Sequence, residues 1–308
     1  MLVSIVITTH GRTDFLRKAV KSALVQSYPK TEVIVVDDNA SDAEIRQAVK
    51  DIMAEYPQCK TIYNETNLGG SLSRNVGIEV ATGECIAFLD DDDVFHSDRV
   101  EKAVELYQEV KDKKIGLIYS YCAVVDENGA RMDGYHRNAE GIPLYEHMLS
   151  CLAATSQWFC PKEALVNVGM FEDAPCKQDS IMLLKLLVSG YEVRCIPEEL
   201  IDYTEHNRGR ISGVSEKNIR GLLNWREWCR KYYDALTQEQ IDAVEVKFAR
   251  DLVTFYSLLG QRKEARDCLQ TIKKYKGFSK EYVLGSIKCA LGKNYRLVIR
   301  GIGSWKRT

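Results

Sequence analysis

The sequence has no long apolar run, although 45% of its 308 residues are hydrophobic. A membrane-spanning helix needs about 20 consecutive apolar residues, and no segment approaches that length. The amino terminus enters a strand-like segment at Leu2 without the basic region and cleavage site of an export signal. These two absences predict a globular protein that stays in the cytoplasm.

The ten cysteines form neither CxxC pairs nor a regular spacing. Several of them, such as Cys85 and Cys122, lie within apolar, strand-like segments. A disulfide framework or a zinc site would require a more regular pattern. We therefore expect reduced and mostly buried cysteines, as is typical of a cytoplasmic protein.

The net charge of −2 conceals an uneven distribution along the chain. Residues 262–308 contain 13 Lys and Arg against 3 Asp and Glu, whereas the preceding residues contain 29 against 41. In the basic segment, aromatic residues such as Tyr275, Phe278 and Trp305 alternate with the positive charges. This composition predicts peripheral contact with an anionic membrane. It also suits an acidic protein partner, a second copy of the chain, or a solvated helical face.

Strand-like and helix-like segments alternate along the first hundred residues. β-branched runs predict strands at Leu2–Thr8, Glu32–Val36 and Lys60–Tyr63, and apolar residues at helical spacing predict helices between them. The second of these helices begins with the capping box formed by Ser41 and Glu44. Short links between such segments require a parallel sheet with right-handed crossovers, whose strand ends meet at one edge.

Four carboxylates follow the fourth apolar segment of this series. The run Cys85–Leu89 leads directly into Asp90, Asp91, Asp92 and Asp93. Adjacent carboxylates repel one another, and their hard oxygen atoms suit Mg²⁺ or Mn²⁺. Ligands of parallel α/β sheets bind at the carboxyl ends of the strands. The segment therefore predicts a cation site, with a solvated acidic loop as the alternative.

The pattern changes after the acidic segment. Ile115–Val125 and the turn-forming Asp126–Gly129 predict a hairpin, which usually adds antiparallel strands to a sheet. The stretch Asp133–Leu144 has little periodicity and is interpreted as a flexible loop. Further on, the sequence predicts helices at Pro161–Val168 and Asp179–Ser189 and a strand at Tyr191–Ile196. After Gly213 only helices are predicted, at Leu222–Tyr232, Gln238–Leu259, Arg262–Tyr275 and Lys280–Leu291.

Four motifs in the first hundred residues occur in an order typical of one enzyme family. They are Ser4–Thr9 followed by Gly11-Arg12, Val35–Asp42, Asn67–Gly77 and Phe88–Asp93. Through these motifs, residues 1–212 resemble a family-2 glycosyltransferase with the nucleotide-diphospho-sugar transferase fold, called GT-A. The resemblance implies an α/β protein: a Rossmann-like GT-A catalytic domain over residues 1–212 and an α-helical domain over residues 213–308.

The resemblance implies a binding site for a nucleotide-diphosphate sugar, with UDP as the expected nucleotide. Asp38 is expected to accept a hydrogen bond from the uracil ring, and Asp90 to lie near the ribose. His10 either stacks on the base or remains an exposed loop histidine. The DXD motif of the family corresponds to Asp90-Asp91-Asp92, and Asp91 occupies its variable position. Asp91 is expected either to contact the donor or to face solvent. The expected donor-binding residues are Thr8, His10, Arg12, Asp38, Asn67, Gly69, Arg74, Asp90 and Asp91.

The cation expected from the resemblance is Mn²⁺ or Mg²⁺. Asp92 corresponds to the family position that ligates the ion bridging the diphosphate. His206 lies where some relatives place a metal or diphosphate contact. Both residues are therefore expected at the metal site.

The resemblance also implies a general base that takes a proton from the acceptor hydroxyl. Asp179 occupies the position of this base. Its alternative role is that of a plain helix N-cap, and Glu172 and Asp173 are the other candidates for the base. Gln178, which replaces the usual glutamate, and Trp158 are expected acceptor contacts. Core packing is the alternative for Trp158.

The chain lacks the QxxRW signature and the membrane spans of processive synthases. This predicts addition of a single sugar, and one base without a nucleophile predicts direct displacement with inversion. The expected setting is surface-polysaccharide or glycoconjugate synthesis at the inner face of the cell membrane. The expected partners are the donor and a saccharide acceptor, which a lipid can carry, and no nucleic acid.

Two rival functions follow from the same residues. Sugar-1-phosphate nucleotidyltransferases share the fold, but the segment Thr8–Arg12 lacks their glycine-rich signature with a basic residue. A binding scaffold with a relict nucleotide site is the second rival. Clustered carboxylates are costly to keep without a ligand, and this argues against the scaffold.

Overall fold

The computed structural model describes residues 1–206 and 214–295, apart from the side chain of Lys293. Within these ranges the chain forms two compact units. The first contains Met1–Asp173 and resumes at Gln178 until the end of the last strand, whereas the second takes in Ala174–Lys177 and the later helices. The domain boundary expected near Gly213 lies outside the described residues.

A nine-stranded mixed sheet runs through the first unit. Its strands are β1 (Val3–Thr9), β2 (Thr31–Asp37), β3 (Lys60–Tyr63), β4 (Cys85–Asp90), β5 (Val94–Phe95), β6 (Ile115–Asp126), β7 (Arg131–Tyr135), β8 (Trp158–Pro161) and β9 (Glu192–Glu205). Their spatial order is β3-β2-β1-β4-β8-β6-β9-β5, and β7 pairs with β6 outside this path. Strands β1 to β4 are parallel, whereas β7 and β8 add antiparallel pairs. The parallel strands and the antiparallel hairpin agree with the sequence prediction, whereas β8 was not predicted.

Helices cover both faces of this sheet. They are α1 (Thr13–Leu24), α2 (Ala43–Ala54), α3 (Gly69–Val80), α4 (Arg99–Glu109), α5 (Leu144–Leu149), α6 (Lys162–Asn167) and α7 (Gln178–Val188). Alternate residues of β1 serve the two faces: Ile5 and Ile7 pack with α1, α2 and α4, and Val6 packs with α3, α6 and α7. Thr8 has the parity of Val6, so its side chain lies on the α3 face.

The start of α2 corrects one local expectation. Asp42 is the N-cap, and its carboxylate accepts the backbone N–H groups of Glu44 and Ile45. The backbone of Asp42 is extended, at φ −128°, as a capping residue requires. Ser41 lies one residue too early to take this position.

Long-range pairing corrects three other expectations. The segment interpreted as a flexible loop begins within β7, because Asp133–Tyr135 belong to the strand that pairs with β6 across the hairpin. Strand β9 continues well beyond Ile196, because its register with β6 extends to Glu205. Pro161 ends β8 and precedes α6, and therefore it is not the first residue of the helix.

The second unit contains α8 (Glu216–Arg230), α9 (Gln238–Leu259), α10 (Arg262–Lys276) and α11 (Lys280–Leu291). Residues of α9, α10 and α11, including Val253, Leu269 and Cys289, form its core. The buried Glu245 accepts hydrogen bonds from Arg226, Arg230 and Tyr233. All four helices were expected from the sequence.

Two findings concern features that were considered from composition. All ten cysteines are free, and most of them are buried. Within residues 1–206 and 214–295, none of the helices combines the length and the apolarity that crossing a bilayer requires.

Candidate active site

The four aspartates at the end of β4 and directly after it lie at the carboxyl edge of the parallel strands. Asp90 is level with Thr8 of β1 in the strand register. Carboxylate oxygens of Asp90, Asp92 and Asp93 all lie within 4.8 Å of one another. Such a group of hard oxygen donors fits Mg²⁺ or Mn²⁺.

Arg12 neutralises part of this negative charge. Its guanidinium forms ion pairs with Asp91, at 2.6 Å, and with Asp92. Asp91 is fully buried and also accepts the backbone N–H of His10 at 3.2 Å. Burial outweighs the influence of Arg12 and raises the pKa of Asp91 to about 7. The expectation for Asp91 is thereby corrected: it neither faces solvent nor offers a surface to the donor, but anchors the loop after β1.

Asp93 is held by groups that the sequence analysis missed. Ser156 donates its hydroxyl to Asp93 Oδ2 at 2.5 Å and accepts the backbone N–H of Asp90 at 3.0 Å. The backbone N–H of Thr204 donates to Asp93 Oδ1 at 3.0 Å. Burial, together with the charges of Asp92 and Asp90, raises the pKa of Asp93 well above its usual range. Ser156 lies just before β8, a strand that the sequence analysis did not predict.

His206 lies beside the carboxylate expected to ligate the metal. Its Nε2 is 2.8 Å from Asp92 Oδ2, and its ring stacks on Phe15 at 5.3 Å. The imidazole is buried. The structure thus brings Asp92 and His206 together, as the sequence analysis expected.

Asp38 is already engaged by protein donors. One oxygen accepts the backbone N–H of Leu68 and the amide of Asn64, both at 2.8 Å, and the other accepts the N–H of Gly69 at 2.7 Å. A carboxylate has about four acceptor positions, and residues within the described part of the chain occupy three of those of Asp38. Asp38 therefore fixes the start of α3, a role the sequence did not show.

The loops at the ends of β1 and β3 face each other. His10 Nε2 and the amide nitrogen of Asn67 are 3.0 Å apart, and both side chains are exposed. Gly11 has φ +73°, and its N–H donates to Asn39 Oδ1 at 2.8 Å. Asn39 is buried and was missed as a site residue, although it directly follows Asp37 and Asp38.

Arg74 of α3 connects the acidic cluster with the start of α7. Its Nη2 forms an ion pair with Asp90, and its Nη1 donates to Gln178 Oε1 at 2.9 Å. The side chain is only 10% exposed, so Arg74 is not a surface arginine. Burial raises the pKa of Asp90, but the charge of Arg74 outweighs it and lowers that pKa below the usual range.

The neighbouring Asn75 holds the segment before α7. Its amide donates to the carbonyl of Phe171 at 2.8 Å and accepts the N–H of Phe171 at 2.9 Å. The ring of Phe171 stacks on Trp158 at 6.0 Å. Trp158 is fully buried, and its indole N–H donates to the carbonyl of Ala153 at 3.1 Å. The expected acceptor contact of Trp158 is therefore wrong: the residue belongs to the core.

Three carboxylates were considered for the role of base. Asp179, on the first turn of α7, is partly exposed, and its Oδ1 accepts the N–H of Ser180 at 2.7 Å. The thiol of Cys151 lies 3.6 Å from Asp179 Oδ2. Glu172 is already engaged by the protein, because it forms an ion pair with Lys185 at 2.6 Å. Asp173 is exposed.

Comparison with known proteins decides the family. Residues 4–172 match the sequence model of Glycosyl transferase family 2. The chain belongs to glycosyl transferase family 2. Membership of this family decides against the nucleotidyltransferase rival.

Curated relatives of this family-2 glycosyltransferase include two from bacteria. The putative teichuronic acid biosynthesis glycosyltransferase TuaG of Bacillus subtilis is 26% identical over 236 residues, which cover 75% of this chain and 90% of TuaG. The amylovoran biosynthesis glycosyltransferase AmsB of Erwinia amylovora is 29% identical over 207 residues, which cover 65% of this chain and 68% of AmsB. The chain spans less than half the length of several other curated glycosyltransferases that it matches.

Solved structures support the fold. Residues 1–349 of TarS from S. aureus, in complex with UDP-GlcNAc, superpose with a TM-score of 0.69 at 16% identity. The match covers 96% of this chain and 92% of that chain. The expected GT-A fold followed by helices is therefore confirmed for this glycosyltransferase.

Proposed function

We propose that this glycosyltransferase moves a single sugar from a UDP-sugar to a hydroxyl group of a saccharide, with inversion at the anomeric carbon. The observation that carries the proposal is the pairing of two groups in one unit. A carboxylate cluster lies at the sheet edge, and Arg74 links it to the helix that starts with Gln178 and Asp179. The first group suits a sugar diphosphate and the second suits an acceptor hydroxyl.

The donor side is assigned to residues around the ends of β1, β2 and β3. The fourth acceptor position of Asp38 is available to a uracil N–H, and His10 offers an exposed ring to the base. The neighbour TarS, solved with UDP and with UDP-GlcNAc, supports a uridine nucleotide. The residues assigned to the donor are Thr8, His10, Arg12, Asp38, Asn67, Gly69, Arg74 and Asp90.

We assign Asp92 as the ligand of Mn²⁺ or Mg²⁺, with Asp90, Asp93 and His206 beside it. The close oxygens of this cluster fit such an ion. Burial, together with the charges of Asp92 and Asp90, raises the pKa of Asp93, so a bound cation would relieve part of this cost. When bound, the ion offsets the negative charge of the leaving diphosphate. Arg12 and His206 both contact Oδ2 of Asp92.

Asp179 is assigned as the general base. Its carboxylate is partly exposed at the start of α7, whereas the competing Glu172 is paired with Lys185. A single base that deprotonates the acceptor hydroxyl leads to direct displacement, and hence to inversion. Gln178 is the assigned acceptor-side neighbour of this base.

The setting is assigned to surface-polysaccharide or glycoconjugate synthesis in the cytoplasm, at the inner face of the cell membrane. The relatives TuaG and AmsB are named for teichuronic acid and amylovoran biosynthesis. In the second unit, Phe278 is 74% exposed, and Val283, Leu284 and Ile287 of α11 are also exposed. Exposed lysines of α10 and the start of α11 flank Phe278 in the chain, and Nζ of Lys273 lies 4.6 Å from the centre of its ring. An apolar face with basic residues suits an anionic membrane and a lipid-linked acceptor; self-association is the second candidate.

The residues 296–308, which contribute further basic and aromatic side chains to this prediction, lie outside the described residues. The assignment of membrane contact therefore stands on the face formed by Phe278 and α11. Its test is given among the predictions below.

A donor screen tests the proposed function. The full chain is incubated with UDP-, GDP- and dTDP-sugars and Mn²⁺, and the released nucleoside diphosphate is measured. We expect hydrolysis of a UDP-sugar, and loss of that hydrolysis in Asp92→Ala. A clear preference for a GDP- or dTDP-sugar would reject the uridine assignment, and the absence of turnover with every donor would reject the function.

A further inference from the structure

Sugar transfer requires a fixed relation between two parts of the site. The acceptor oxygen must reach about 3–3.5 Å from the anomeric carbon, and small misplacements are costly. In this chain the donor-side carboxylate Asp90 ends β4, whereas Asp179 belongs to α7, so the backbone does not hold them together directly.

Arg74 spans the two parts. One arm of its guanidinium pairs with Asp90, and the other donates to Gln178, the residue before Asp179. The same arm also donates to the carbonyl of Gly70 at 3.3 Å. The ring of Phe171 lies 5.8 Å from the guanidinium, which is largely shielded from water. A planar guanidinium whose two Nη atoms both bind a partner fixes the relative direction of the two partners as well as the distance between them.

The neutral side chain of Gln178 suits this arrangement. Its oxygen accepts a hydrogen bond but brings no charge to compete with Asp90 for the guanidinium. A carboxylate at this position would share the single positive charge of Arg74 between two acids. Gln178 therefore leaves the ion pair with Asp90 intact.

Asn75 supports the same link from the next position of α3. Its amide binds both backbone groups of Phe171, which precedes α7 in the chain. Two consecutive residues of one helix thus hold the acidic strand end, the segment around Phe171 and the start of α7.

We propose that Arg74 is a positioning residue that couples the donor and acceptor halves of the site through the oxygen of Gln178. This inference rests on the proposed function for its kinetic consequences. The contact itself does not depend on which sugar is transferred.

The test replaces Gln178 by methionine, which has a similar shape but no hydrogen-bond acceptor at the end of its chain. We expect kcat for transfer to fall by about 10- to 100-fold, with UDP affinity changed by less than about twofold. Gln178→Glu keeps an acceptor oxygen, and its kcat should therefore fall less than that of Gln178→Met. Gln47→Met, on the exposed surface of α2, is the matched control and should retain wild-type kcat.

A double variant separates coupling from simple damage. If Arg74 acts through Gln178, Arg74→Met with Gln178→Met should transfer no more slowly than Arg74→Met alone. The inference would be overturned if the losses in kcat of the two single variants multiply in the double variant. A wild-type kcat in Gln178→Met, or an effect of this variant that is confined to the KM for the donor, would also overturn it.

Thermal unfolding of the wild type, the two methionine variants at positions 74 and 178 and the double variant gives a readout that does not need activity. The midpoint of the double variant should fall by less than the two single shifts combined; additive shifts would show that the contact is absent. If the wild-type chain shows no transferase activity, the proposed function is rejected. The unfolding midpoints of the four proteins would still show whether Arg74 and Gln178 interact.

Discussion

Replacing Gly77 by alanine tests how closely α3 must approach β1 for the site to work. A Cβ at Gly77 would lie 2.3 Å from Val6 Cγ1 and 3.3 Å from Val6 Cγ2. Val6 is 1% exposed and sits in the core on this face of the sheet. Carbon atoms without a bond prefer about 3.5–4.0 Å, so the helix must move away by about 1 Å or more.

Two opposing effects determine the stability of this variant. In a helix interior, alanine is favoured over glycine by about 1 kcal/mol. Overpacking a buried contact costs about 1–3 kcal/mol, and a 2.3 Å approach belongs at the upper end of that range. We therefore expect Gly77→Ala to lower the free energy of unfolding by about 1–2 kcal/mol.

The same movement should affect catalysis, because α3 carries Arg74. A displacement of about 1 Å can reduce the rate by about 10²-fold. Urea unfolding and kcat for transfer are the two measurements. Adding Val6→Ala removes both Cγ atoms and should restore part of the lost kcat.

Gly285→Ala is the matched control. Its Cβ would lie 2.6 Å from Leu269 Cδ2, so a comparable clash arises in a helix of the second unit. It should reduce stability but leave kcat unchanged. A Gly77→Ala protein with wild-type stability and wild-type kcat would refute this reasoning.

Four further predictions follow from the described geometry. Asp92→Ala should abolish both transfer and Mn²⁺ binding by calorimetry, and EDTA should stop transfer by the wild type; full activity in EDTA would contradict the metal assignment. Asp179→Asn should reduce kcat by about 10² or more with little change in UDP affinity, and normal transfer by this variant would move the base elsewhere. Burial raises the pKa of Glu245, but hydrogen bonds from two arginines lower it to about 2, from an ordinary value of 4.5. Its contribution of about 3 kcal/mol is therefore present above pH 4.5 and lost as the pH falls toward 2. Urea unfolding should show Glu245→Gln less stable than wild type at pH 7 but nearly equal near pH 2, and a constant difference would contradict this. Phe278→Ser should weaken cosedimentation with anionic liposomes, whereas Val166→Ser, at an exposed apolar position of the first unit, should not; equal binding by both variants would favour self-association.

The parallel half of the sheet was predictable because its signals are local. Runs such as Lys60–Tyr63 combine β-branched residues with flanking breaks, and the observed strand has the expected bounds. The rule that parallel strands end at one edge predicted that their last residues meet, and the structure places Thr8 level with Asp90. The same reasoning found the acidic cluster.

Other features depend on contacts between residues far apart in the chain. Asp91 is buried because the loop after β1 folds over it, and neither its exposure nor its pair with Arg12 follows from the acidic run. Trp158 is enclosed by a stack with Phe171. The link from Arg74 to Gln178 joins residues 104 positions apart, and no periodicity reports such a bond.

The membership of Ala174–Lys177 in the helical unit bears on how this enzyme can be divided and recombined. The segment interrupts the first unit, and a Cβ at Gly221 of α8 would lie 1.9 Å from Cys176 Sγ. A truncation after residue 206 would therefore strip Cys176 of its packing partner two residues before Gln178. Helical units exchanged between relatives by recombination at a single crossover would separate Cys176 from its matching glycine. The segment Ala174–Lys177 and helix α8 should therefore be kept from the same parent when this glycosyltransferase is divided or recombined.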